Sequence, residues 1–181
     1  RKSLFQVASL HTSTGFATAD YMTWPSVLWG TLTVIMIIGA CAGSTTGGMK
    51  CIRLLILAKI SRNEFKHITH PNAVLPVRVN KQVISPSIRS TVLAFSFLYA
   101  VLIIVGTLAM MGMGVGLLES LGCTISSLGN MGPGLGLCGP AYSWNELPDM
   151  GKWLMSFFML LGRLELFTVS LLFSSDFWKK N

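Results

Sequence analysis

Two short stretches hold the residues that could act on a ligand: HTSTG, ending at Gly15, and GNMG, ending at Gly132. Neither contains a carboxylate dyad, and no nucleophile–base pair stands out. What both offer is backbone. A dehydrated cation needs several oxygens at close range to replace its water shell, and rings of backbone carbonyls supply them in ion-selective filters. Pointing successive carbonyls one way demands unusual φ/ψ values, which glycine reaches without a Cβ penalty. Thr12, Ser13, Thr14 and Gly15 are therefore one candidate set of ligands, and Asn130, Met131 and Gly132 the other. The Thr12 and Thr14 hydroxyls are expected either to add ligands or to brace their bend. The competing reading is a pair of ordinary glycine turns that cap helices.

Each stretch must be positioned by something. Aligning Gly15 with Gly132, 117 positions on, lays SLFQVASLHTSTGF over SLGCTISSLGNMGP and pairs Ser9 with Ser126. Both read as a short helix ending at a glycine bend, followed by an outer loop and a returning helix. Residues 117–128 are too few to cross a bilayer, which takes about 20 apolar residues. Gly/Pro-rich backbone after such a helix cannot face lipid, so it must be buried in protein or line a watery cavity. The chain thus holds the end of one helix–loop–helix unit and the whole of another. The short helices aim their partly negative C-terminal ends at a bound cation.

A third stretch, GACAGSTTGGMK, breaks an apolar segment at its centre. A phosphate loop reads G-x-x-x-x-G-K-[ST]. Here Gly43 and Gly48 are followed by Met49, then Lys50 and Cys51, so the lysine and hydroxyl are misplaced. Gly39, Gly43, Gly47 and Gly48 each lower helix propensity by about 1 kcal/mol relative to alanine. Ser44, Thr45 and Thr46 offer hydroxyls to the freed backbone. A segment that unwinds easily also rearranges easily, which suits a movable barrier. The alternative is a helix kink packed closely on a neighbour.

Composition sets the environment. Of 181 residues, 51% are hydrophobic and 12% charged, against about 25% charged in soluble domains; mean hydropathy is +0.60. Three segments are long enough to cross a bilayer: 24–42, 90–116 and 152–173. Net charge is +7. Lys50, Arg53, Lys59, Arg62, Lys66, Arg78, Lys81 and Arg89 face one acid, Glu64, and Lys179 and Lys180 stand at the C-terminus. These cations flank apolar spans, so the positive-inside rule explains them better than nucleic acid does. Residues 50–89 and the C-terminus are placed in the cytoplasm. Residues 17–26 and 133–151 fall outside, with Asp20, Glu146 and Asp149. The chain opens RKSLFQVASL, without an apolar h-region or initiator methionine, and is read as a piece of a longer protein. The cysteines (Cys41, Cys51, Cys123, Cys138) lack C-x-x-C spacing and read as small buried hydrophobes.

FQVASLHTSTGFATADY, GACAGSTTGGMKCIRLLIL, HPNAVLPV, LGNMGPGLG and FFMLLGRLELFT follow one another in this order. Together they resemble the C-terminal third to half of bacterial Trk-type (TrkH-like) potassium uptake subunits, over essentially the whole chain. GRLELFT is closer to the Trk branch than to the related Ktr branch. Ser13 and Met131 stand where threonine and leucine are more usual, which should not abolish a carbonyl site. The resemblance implies an all-α membrane protein of four fused helix–pore loop–helix repeats around one pore, in the bacterial inner membrane. Residues 1–62 would be the pore helix, filter loop and broken second helix of repeat 3. Residues 63–89 would be a basic cytoplasmic connector, and 90–181 a complete repeat 4. It also implies potassium as cargo at the two bends, no covalent cofactor, and residues 43–48 as an intramembrane gate. The implied partners are the protein's own N-terminal half, a second copy, and a cytosolic nucleotide-binding regulatory (TrkA-like) subunit.

Arg163 is the remaining anomaly. A mid-helix arginine costs about 2.5–3.5 kcal/mol on insertion scales. Gly43 follows Gly15 by 28 positions and Arg163 follows Gly132 by 31, which suggests similar depth. Arg163 is expected to face the cavity, tuning cation occupancy or contacting the gate loop. A salt bridge is the alternative, although Glu165, two positions away, does not share its helix face. His67 and His70 lack further ligands nearby and read as solvated surface. Two rival functions remain: a broken-helix cation-coupled transporter, and an intramembrane enzyme using His11 or Cys41. The expected outcome is transport, not catalysis.

Overall fold

The computed structural model describes residues 1–41, 43–44, 47–71, 73, 75–80 and 82–164. Six helices carry the fold among them: α1 (Lys2–His11), α2 (Ser26–Ile37), α3 (Cys51–Thr69), α4 (Pro86–Gly112), α5 (Leu117–Gly129) and α6 (Asp149–Arg163). Three 3₁₀ turns (Tyr21–Thr23, Gly136–Cys138 and Trp144–Glu146) and two pairs of two-residue bridges accompany them. Ile38–Gly39 pairs in parallel with Met49–Lys50, and Arg78–Val79 pairs antiparallel with Gln82–Val83.

Among the described residues, α4 is the one helix long and apolar enough to cross a membrane; within the expected spans 24–42 and 152–173 the described helices are α2, of 12 residues, and α6, of 15. Ser85 caps α4 by accepting from the Ile88 N–H at 3.5 Å, and Pro86 occupies the first turn, where its missing N–H is no loss. Its 27 residues span about 40 Å at ~1.5 Å each, more than the ~30 Å hydrocarbon core. Phe97, Ile104, Val105 and Leu108 are each more than half exposed, an apolar face suited to lipid or to further repeats. The opposite side packs on α5 and α6. A methyl on Gly106 would lie 2.2 Å from the Phe158 ring and 2.8 Å from Thr124 Cγ2. Only glycine lets these three helices meet so closely.

Helix α5 is sheathed by its neighbours. Ser120 and every residue of 122–129 are buried, which its small side chains permit. Thr124 Oγ1 donates to the Ser120 carbonyl at 2.7 Å, so the buried hydroxyl is satisfied within the helix. Helix α1, the shorter counterpart, buries Gln6, Ser9 and Leu10. Leu10, Tyr21, Leu32, Met36, Ile125, Met131 and Leu135 form one apolar cluster, joining the first unit to α5 and its bend.

The broken segment is resolved in outline. Helix α2 ends at Ile37, because Ile38 turns extended (φ −82°, ψ 92°), and helix resumes at Cys51. The expected basic connector from residue 63 begins as helix. Helix α3 continues to Thr69 and stops before Pro71, whose ring disfavours helical backbone at His70. Residues 165–181, including Glu165, Lys179 and Lys180, lie outside the described residues, as do Thr45 and Thr46 of the glycine break.

Candidate functional site

The two bends adopt one local conformation. At the end of α1, the Ser13 N–H donates to Leu10 O and the Thr14 N–H to Ser9 O, at 3.2 and 2.9 Å. At the end of α5, the Asn130 N–H donates to Ser127 O and the Met131 N–H to Ser126 O, both at 3.1 Å. Each donor and acceptor sits 117 positions from its counterpart. Both are Schellman caps, and the residue turning left-handed is not glycine: Ser13 and Asn130 both have φ 53°. A left-handed L-residue costs about 1–2 kcal/mol. Gly15 and Gly132, two residues on, then turn the chain a second time at φ 78° and 100°. The Schellman bonds are made before either glycine, although in the first bend the Gly15 N–H also donates to Ser9 O, at 3.4 Å. The second turn is extra backbone curvature that a helix cap does not require.

The bends touch. A methyl built on Gly15 would lie 2.0 Å from the Met131 carbonyl oxygen, so residues far apart in sequence share one wall. Gly15, Phe16, Met131, Gly132, Cys138 and Trp144 are among the residues lining an open cavity of about 390 Å³ beside them.

Side chains brace the bends. Ser9 Oγ donates to the Phe16 carbonyl at 2.6 Å, and Gln6 Nε2 to Ala19 O at 2.7 Å. Thr12 Oγ1 donates back to Ala8 O at 2.8 Å and lies 2.8 Å from Thr14 Oγ1, which favours bracing over ligation for this hydroxyl. Asn130 Nδ2 donates to Met159 O on α6 at 3.0 Å. Trp144 Nε1 donates to the Gly132 carbonyl at 3.1 Å, occupying one of its two lone pairs. Tyr21 Oη donates to Gly134 O, tying the loop that follows the first bend to the second bend. Burial, and after it the Asp20 carboxylate, hold that phenol far above its ordinary pKa, so it remains a donor.

Beneath the bends, two glycines meet one carbonyl. Methyls on Gly47 and Gly162 would lie 2.7 and 2.2 Å from Leu128 O, and 3.0 and 2.8 Å from Asn130 Nδ2. The end of the glycine break and the residue before Arg163 therefore abut the same end of α5. Gly48 (φ 80°) lies near the Tyr99 Oη, a buried hydroxyl without a partner among the described residues. Gly43 stands in open space, and the Ser44 N–H donates to Cys41 O at 3.0 Å. Arg163 is exposed. His11 Nδ1 lies 3.2 Å from Ile38 O, and Cys41 is exposed. His67 is exposed, beside a separate pocket with Glu64 and Arg89.

One expectation is corrected. Cys123 and Cys138 are not separate small hydrophobes but a disulfide. Trp144, Tyr21, Gln6 and the cysteine pair escaped the sequence reading. The signal available for the cysteines was their position on either side of the second bend.

Short helices that stop at doubly turned bends, each followed by a returning helix, define a membrane protein of the helix–pore loop–helix class. The family model TrkH, a cation transport protein, matches residues 1–180. The Trk system potassium uptake protein TrkH of Halomonas elongata is 38% identical over 180 residues, covering 99% of this chain and 37% of that protein. TrkG of Escherichia coli K12 is 38% identical over 177 residues, covering 98% and 36%. The crystal structure of the potassium transporter TrkH from Vibrio parahaemolyticus superposes with a TM-score of 0.90 at 36% identity, covering 98% of this chain and 38% of that one. The chain belongs to the TrkH cation transport protein family, and spans little more than a third of the length of these relatives.

Proposed function

We propose that this chain is the C-terminal pore portion of a potassium-translocating subunit of the inner membrane. Carbonyls of Thr12–Gly15 and of Asn130–Gly132 stand in for the water shell of the passing ion. The observation that carries this reading is the matched double turn at Ser13/Gly15 and Asn130/Gly132, with the two bends in contact at Gly15 and Met131. Two further repeats from the N-terminal part of the full-length protein would close the ring. Residues 1–62 and 90–181 act as successive repeats, joined by 63–89 on the cytoplasmic side. The potassium cargo follows from relatives whose names specify it.

Residues 43–48 form the gate. Support comes from Gly47, which abuts the end of α5 directly below the second bend. Arg163 adds positive charge beside that loop, supported by the approach of Gly162 to the same Leu128 carbonyl. The basic connector docks a cytosolic nucleotide-binding subunit, and the assembled protein pairs with a second copy. No covalent chemistry is assigned to His11 or Cys41. The test is Gly132→Ser in the full-length protein, reconstituted in liposomes. Potassium-over-sodium selectivity should fall, because serine resists φ 100°; unchanged selectivity sinks the filter assignment.

A further inference from the structure

We infer that the Cys123–Cys138 disulfide is a covalent filter brace, doing for the second bend what a hydrogen bond does for the first. The inference rests on the filter reading above. Cys123 stands 117 positions after Gln6, the separation that relates Ser13 to Asn130 and Gly15 to Gly132. Gln6 and Cys123 are both fully buried. In the first unit, Gln6 reaches from the pore helix to Ala19, four residues beyond Gly15. In the second, Cys123 reaches from the pore helix to Cys138, six residues beyond Gly132. One helix position thus fastens the segment after the bend in both units, by an amide in one and by sulfur in the other.

The second bend is also held by Trp144, Asn130 and Tyr21, but among the described residues no second side chain of α5 itself bonds to the segment after it. In the first, Ser9 adds a hydroxyl bond to the Phe16 carbonyl. The hydroxyl of its counterpart Ser126 is buried with no hydrogen-bond partner among the described residues, and Pro133 stands opposite Phe16 in the alignment. The disulfide also connects to the bend through a short path. The Gly134 N–H donates to Cys138 O at 2.6 Å, and Gly134 follows Gly132 by one proline. Close packing of this segment on α5 needs Gly122, where a methyl would lie 2.5 Å from Leu135 N. Cys138 borders the cavity shared by Gly15 and Gly132. By the proposed topology it faces the outer compartment, where disulfides persist.

Opening the brace is a balanced two-electron step. A trialkylphosphine attacks sulfur and the S–S bond breaks. Water then supplies the oxygen of the phosphine oxide and the two protons taken up by the thiols.

The experiment uses the full-length protein in liposomes, with potassium and sodium influx measured in parallel. Differential thiol labelling with peptide mapping reports the state of both cysteines. Expected results are that Cys123 and Cys138 label only after phosphine, and that phosphine lowers the potassium-over-sodium ratio about fivefold, ~1 kcal/mol of discrimination. The Cys123→Ala/Cys138→Ala variant should show the lowered ratio without phosphine and no further response to it. If that variant does not reach the membrane, phosphine treatment of the unaltered protein decides alone. Free thiols without reductant, or an unchanged ratio once mapping shows reduction, overturn the brace. Gly132→Ser separates the two ideas. If it lowers selectivity while opening the disulfide does not, the filter reading stands and the brace falls; if it leaves selectivity intact, the filter reading itself fails.

Discussion

Gly15→Ala is the sharpest test of the contact between the bends. The substitution adds one methyl at a residue with φ 78°, 2.0 Å from the Met131 carbonyl oxygen. Left-handed backbone costs alanine about 1–2 kcal/mol, a bearable penalty. The overlap is not. Ordinary contact begins at 3.4 Å, so the two strands must part by at least 1.4 Å. Shared equally, that is about 0.7 Å each, beyond the ~0.5 Å tolerance of a preorganised binding constellation. The obstacle is a backbone carbonyl, which no rotamer change can move aside. Potassium-over-sodium discrimination in reconstituted full-length protein should collapse. Gly132→Ala is the internal control, since its methyl meets nothing within 4 Å despite φ 100°. It carries only the backbone cost and should keep an intermediate ratio. A wild-type ratio in Gly15→Ala, or equal damage from both variants, would refute the shared wall.

Three other perturbations address the surrounding structure. Deleting residues 42–47 should raise basal potassium flux in the absence of any regulatory subunit, whereas a silent or unaltered protein contradicts a gate. Arg163→Ala should change conductance or apparent potassium affinity in electrical recordings; wild-type values in both would leave the residue a structural part only. Tyr21→Phe removes the donor to Gly134 and should cost about 1 kcal/mol of thermal stability. Because the folded phenol titrates above its ordinary value, that contribution is fully present below the unfolded pKa of ~10 and declines only at higher pH. The stability difference between the unaltered protein and the Tyr21→Phe variant should therefore be flat up to about pH 9, below that unfolded pKa. A difference that shrinks on the way from neutral pH to that limit would exclude a protonated donor.

What the sequence determined by itself was local. Glycine and small polar residues marked the bends, because positive φ is a property of single positions and their neighbours. The 27-residue apolar α4 was legible from bilayer thickness alone, and the repeat was legible because two pore helices keep one register to their glycines. The helix starts and ends differed from expectation by a few residues, at Pro86, Ile37 and Thr69, where prolines and glycines, not apolar content, set the boundaries. Tertiary structure decided which of these pieces meet. Gly15 against Met131, Gly47 and Gly162 against Leu128 O, Trp144 on Gly132 and Cys123 joined to Cys138 each depend on helices packing at glycine-sized separations. No local propensity encodes such contacts, because a glycine that permits a turn and one that admits a neighbour's backbone are the same letter until the neighbour is in place.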